Sequence, residues 1–269
     1  MFVILLALKL VLTPLLIGGA SIGARRWGPL IGGWMVSLPL TSGPVALYLA
    51  LDRGTSFAAS AAEASVAGNV AIVAFCLAYA LVATRAGWPA AIMAAGTGWL
   101  AAAVVLQPVL TWPVGVVFVL VTAILAAALR LMPAGSTRAG GVTLPRWDLP
   151  VRVVIGTIVV LLLTAAAPAL GSRTSGLLAM LPVIATVLAI FTHRRDGADT
   201  AVGVLRGILT GLFGTAAFLA VVSASVQRWG VAASFGAAIA TVVVIQLVAL
   251  WALRRVPAGS VDRAVSGSA

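Results

Sequence analysis

The chain has 269 residues, of which 62% are hydrophobic and 9% charged, with a mean hydropathy of +1.17. Soluble domains carry about 25% charged residues, so the figures exclude a soluble fold and indicate an all-α, polytopic membrane protein whose surrounding partner is the lipid bilayer. The net charge of +11 comes from arginines at the ends of apolar runs; no basic run with interleaved aromatics supports a nucleic-acid partner.

Apolar length and polar interruptions predict about nine spans. The first covers residues 2–23 and contains Lys9. It starts apolar, without a basic n-region or a small-residue cleavage site, so it reads as a span and not as a removed signal peptide. After Arg25 and Arg26 the second span, 29–51, is interrupted by Pro39 and by the step Gly43-Pro44. Proline removes a backbone donor, clashes with the preceding turn, and disfavours helix in the residue before it. Hydrocarbon cannot satisfy the freed backbone groups, so such a break persists only inside protein or beside a wet cavity. Two readings are open: a packing kink, or the broken helix from which transporters build a site. On the second reading Pro39, Thr41, Ser42, Gly43 and Pro44 line the site.

The third span covers 57–84, with Glu63 in its first turns, and Arg85-Ala86-Gly87 closes it. The fourth covers 88–106. A tight turn at 107–113 leads to the fifth, 114–131. The polar, Gly-rich stretch 132–148 is the one real linker. Spans six to nine cover 151–170, 175–192, 200–227 and 231–253, followed by a polar tail from Arg254 to Ala269. The organisation is a first repeat over 1–107, a linking span over 108–131, a cytoplasmic linker over 132–150, a second repeat over 151–253 and a cytoplasmic tail over 254–269.

The second half repeats the first in one ungapped register. Leu38-Pro39 recurs as Leu181-Pro182, which adds Pro182 to the site. At the same spacing Lys9 matches Arg152, Gly28 matches Gly171, Gly33 matches Gly176, Gly54 matches Gly197, Gly68 matches Gly211 and Arg85 matches Arg228. Apolar matches alone would mean nothing in so apolar a chain; glycines, prolines and arginines in one register do. The fifth span has no counterpart. An odd number of crossings then separates the repeat starts, so the second repeat is inverted relative to the first. The arginines agree. On one side fall Arg25, Arg26, Arg85, Arg130, Arg138, Arg146, Arg152, Arg194, Arg195, Arg254, Arg255 and Arg263, and on the other only Arg53, Arg173 and Arg228. The positive-inside rule puts the N-terminus outside and the C-terminus in the cytoplasm of a bacterial inner membrane. Inverted repeats with matching broken helices are the pattern of secondary transporters.

The first repeat resembles the small four-span bacterial membrane proteins called GlpM. The likeness lies in Leu8-Lys9, the approach from Gly33 to Pro39, Arg53-Gly54 and Pro89-Ala90-Ala91. The second repeat is similar through Gly176-Leu177-Leu178, Leu181-Pro182, Asp196-Gly197 and Leu205-Arg206. The resemblance covers spans one to four and six to nine. It implies a four-span unit used twice and assigns no activity. The chain departs from that family in its double length, and Val187 stands opposite Pro44.

Ionisable groups inside spans are costly and point to function. Lys9 reads either as a substrate contact or as a side chain snorkelling to the interface. Glu63 and Arg206 occupy equivalent repeat positions with opposite charge: Arg206 reads as an anion contact, and Glu63 as the coupling proton acceptor or a partner of Lys9. Structural charges satisfied at helix ends are the competing reading. Asn69 and Gln246 add polar groups within spans. Gly203, Gly207 and Gly211, like Ser60, Ala64 and Gly68, form small faces that allow close helix packing or a homodimer.

Enzymatic chemistry has little support. The one cysteine, Cys76, excludes an internal disulfide or cysteine metal cluster and reads as a core residue. The one histidine, His193, sits with Arg194, Arg195, Asp196 and Asp199 in what reads as a solvated basic turn. No phosphate-cradling loop and no cofactor motif appears. The residues therefore point to a small secondary transporter for an anionic or polar metabolite or lipid-linked phosphate. The alternative is a scaffold or accessory subunit of an envelope-assembly complex.

Overall fold

A computed structural model describes residues 42–133 and 148–255, together with Val11, Leu15, Pro39 and Gly135. The expected first span with Lys9, the approach to the first break with Thr41, the middle of the linker and the tail after Arg255 lie outside the described residues. Among the described residues every regular element is helical: α1 Ser42–Arg53, α2 Thr55–Ala83, α3 Trp88–Val105, a 3-10 turn Gln107–Thr111, α4 Val114–Leu131, α5 Asp148–Leu178, α6 Val183–Asp196 and α7 Ala198–Arg255. Among the described residues five stretches are long and apolar enough to cross a membrane: Thr55–Ala83, Trp88–Val105, Val114–Leu131, Val153–Leu178 and Ala198–Val248. The chain is an all-helical membrane protein.

Glycines articulate it. Gly171 divides α5 and Gly230 divides α7, at φ 75° and 73°. Gly54 and Gly197 join α1 to α2 and α6 to α7, at φ 88° and 87°. All four have ψ between 167° and 176°, a region essentially closed to residues with a Cβ. The chain turns sharply there without a loop. At Gly197 a Cβ would meet nothing within 4 Å, so its cost is backbone strain alone. Gly197→Ala is expected to destabilise the fold by about 1–3 kcal/mol, seen as a lower melting temperature in detergent.

The centre of the bundle is α2. It is apolar all round, and 67% of its most apolar window is buried within the chain. Its small side chains Ala58, Ala61, Ala62, Ala64, Gly68 and Ala71 are buried. Lipid gives no hydrophobic drive for helices to associate, so close packing of small residues has to hold them. Gly203, Gly207 and Gly211 are buried too, so that small face is used inside the chain. By contrast α3 and α4 lie outside. Met93, Leu100, Val104 and Val105 of α3 and Val116, Val119 and Leu131 of α4 are exposed, as side chains facing lipid should be.

The second half of the chain lies directly on α2. Ser65 meets Gly176, Gly68 meets Met180, and Tyr79 meets Ala189 and His193. Both partners advance together in sequence, so α2 and the 172–196 stretch run in the same direction.

Candidate functional site

The expected break at Leu181-Pro182 is present. Helix α5 stops at Leu178 and α6 starts at Val183. Pro182 has φ −82° and ψ 49°, and the Val183 amide donates to the Leu181 carbonyl at 2.9 Å, which makes an inverse γ-turn. The chain then enters α6 without a side-chain cap. Neighbouring helices satisfy carbonyls near this break. The Ser65 hydroxyl donates to the Gly176 carbonyl at 2.7 Å, and the Trp99 indole N–H donates to the Met180 carbonyl at 3.2 Å. Polar backbone at membrane depth is tolerated when protein groups take it up in this way.

Packing here is tight. A Cβ on Gly176 would collide with the Ala61 carbonyl oxygen, and one on Gly68 would lie 3.0 Å from Met180 Cβ. Residues 172–178 are thus seated directly on the α2 backbone.

The start of α1 comes to the same place. Pro39 precedes α1, and the Gly43 amide donates to its carbonyl at 2.9 Å. A Cβ on Gly43 would sit 3.6 Å from the Phe218 ring of α7. A narrow crevice with no room for a water molecule separates the start of α1 from the end of α5; Ser42, Ala46, Ala61, Ser65, Gly176 and Ala179 line it. The start of α1 and the end of α5 therefore face each other across Ser65.

The expected residues divide accordingly. Ser42 lines the crevice; Pro39 and Gly43 stand at the start of α1 beside it, and Pro182 lies beyond its lining, in the turn before α6. Pro44 falls in the first turn of α1, where a missing N–H costs nothing, so it starts a helix and does not break one. Arg206 is elsewhere. Its guanidinium donates to the Met132 carbonyl at 3.2 Å, at the end of α4. It lies twelve residues, and so about 18 Å along the helix axis, from Phe218 beside the start of α1. Glu63 is partly buried on α2 and feels the charge of Arg173, just after the Gly171 joint.

Four side chains at or near the breaks carried no warning in apolar periodicity. Ser65 and Trp99 serve the break, and Tyr79 and His193 tie α6 to α2. The Tyr79 hydroxyl lies 3.2 Å from the Ala189 carbonyl and 3.1 Å from His193 Nδ1. His193 is not in a solvated turn: α6 continues through it to Asp196, which brings its ring 5.9 Å from that of Tyr79. The Arg194 guanidinium lies 5.4 Å from the centre of the Trp88 ring, within cation–π range. The usable signal was position: Trp99 at mid-span, away from the interfaces where tryptophan usually anchors.

Asn69 is a further polar group on this face. It is fully buried, and its amide nitrogen donates to the Ser65 and Val66 carbonyls at 2.9 and 3.1 Å. Flipping the amide would set its oxygen against those two carbonyls, so the oxygen must point away from them. That oxygen has no partner among the described residues.

The fold and this arrangement define a class, an all-helical membrane protein with a helix interrupted at Pro182 inside the bundle. Searched against protein families, curated proteins and solved structures, the chain matches none.

Proposed function

We propose that the chain is a small secondary transporter of the bacterial inner membrane, moving an anionic or polar metabolite between its two broken helices. In this reading nine spans form two inverted four-span repeats joined by the fifth. The observation that carries it is the meeting of the start of α1 with the end of α5 across Ser65, at the crevice between Ser42 and Gly176. Inverted pairs of broken helices place substrate between the breaks. Two geometric facts support the inverted arrangement. The second and seventh segments end at matching repeat positions on glycines of one unusual conformation, Gly54 and Gly197. The parallel course of α2 and residues 172–196 is the one that an odd number of crossings requires. The crevice as it stands excludes water, which corresponds to a closed state of the cycle. The same closure favours the alternative, a scaffold that moves nothing.

The proposed coupling group is Glu63, with Arg173 as its counter-charge. Purified protein in liposomes tests the reading, with uptake of radiolabelled phosphate, small carboxylates and neutral polar solutes measured across a pH series. A transporter accumulates at least one of them without any partner protein. Glu63→Gln is expected to flatten the pH dependence of that uptake. Silence toward every solute class supports the scaffold, and an unchanged pH profile removes Glu63 from coupling.

A further inference from the structure

The two halves of the interrupted seventh segment are held in different ways. Residues 172–178 sit on the α2 backbone, with Gly176 against the Ala61 carbonyl and bonded by Ser65. The α6 half does not. Its backbone stands off α2 and packs along α7 instead, and side chains span the gap to α2. Tyr79 reaches from α2 to the Ala189 carbonyl and to His193, and Trp88 at the start of α3 meets Arg194. Both ends of α6 are non-helical joints, the γ-turn at Pro182 and Gly197 at φ 87°. A rigid fourteen-residue helix between two joints has the build of a hinged arm.

We propose that α6 is the moving gate of the transporter read above, latched shut against α2 by Tyr79 through Ala189 and His193, with Arg194 on Trp88 as a second tether. The gate swings from α2 about Pro182 and Gly197, while 172–178 stays fixed as the other wall. The inference rests on the transporter reading for its purpose, but the motion is measurable without transport. Ser65, Asn69, Cys76 and Tyr79 recur at helical spacing along one stripe of α2, and Ser65 and Tyr79 place that stripe against the 172–196 segment. Cys76 is fully buried and is the only thiol in the chain. It sits one turn behind the latch, so opening of α6 uncovers it.

The test is the rate of Cys76 labelling by a membrane-impermeant maleimide, added separately to each side of proteoliposomes of known orientation. The wild-type thiol is expected to react slowly. Tyr79→Phe keeps the ring packing and removes the hydroxyl that makes both latch bonds. Losing about 1.4 kcal/mol of latch corresponds to a tenfold shift, so labelling is expected to rise about tenfold, from the His193 side alone. His193→Leu keeps the Ala189 bond and is expected to raise labelling by a smaller factor from the same side. Gly96→Ala, at an open position on α3, is the unchanged control. Labelling at the wild-type rate in Tyr79→Phe overturns the gate. So does labelling that rises equally from both sides, which is the mark of a loosened fold. If one-sided opening occurs while no solute is taken up, the gate stands and the transporter reading fails.

Discussion

Gly176→Ala is expected to be the most damaging single-methyl change in the described part of the chain. The new Cβ would collide with the Ala61 carbonyl oxygen. That neighbour is backbone inside a helix, and it cannot turn aside as a flexible side chain does. Overpacking a well-filled interior costs about 1–3 kcal/mol and occasionally more, and a backbone-to-backbone clash lies at the upper end. Relief requires residues 172–178 to lift off α2. That movement stretches the 2.7 Å bond from Ser65 to the Gly176 carbonyl and leaves a buried polar group short of its partner. The variant should melt well below wild type in detergent, with the crevice opened. Gly96→Ala is the comparison: its Cβ meets nothing within 4 Å, and alanine in a helix interior is favoured over glycine by about 0.5–1 kcal/mol. If the two variants melted together, the seat of Gly176 on α2 would be wrong.

Asn69→Leu is expected to move stability and activity in opposite directions. The Asn69 side-chain oxygen is an unpartnered acceptor inside a fully buried residue. Burying such a group without a partner costs about 1–3 kcal/mol. Leucine has nearly the same shape and removes that penalty. Its melting temperature should therefore rise. Solute uptake should fall steeply, because the orphaned oxygen lies on the α2 stripe between the Ser65–Gly176 contact and the Tyr79 latch, where a donor group of a passing ligand would meet it. A variant that is both more stable and fully active would show that Asn69 has no part in the site. A less stable variant would show that a donor such as a bound water already satisfies it.

Much of the architecture is legible before any folding is considered. Proline fixes φ and glycine admits φ values closed to other residues, so a break or a joint is written at the residue that makes it. The end of α5 near Pro182 and the joints at Gly54, Gly171, Gly197 and Gly230 fall where those residues stand in sequence. Class is legible for a related reason: a chain this apolar is not a soluble domain. Side-chain partnerships are a different matter. In α2 every face is apolar or small, so periodicity does not tell which face meets which neighbour. Arg206 shows the consequence. Its sequence position suggests an anion contact, and its guanidinium is directed to a helix-end carbonyl at Met132.

The sequence by itself determined an all-helical membrane chain and the break at Pro182, because hydropathy and backbone restriction act residue by residue. Only the tertiary structure decided that Ser65 holds Gly176, that Trp99 takes up the Met180 carbonyl and that Tyr79 reaches His193. Those pairs join residues 81 to 114 positions apart. Without a hydrophobic drive between helices in lipid, the helices meet where small residues let backbones approach, and that fit is a property of two surfaces together.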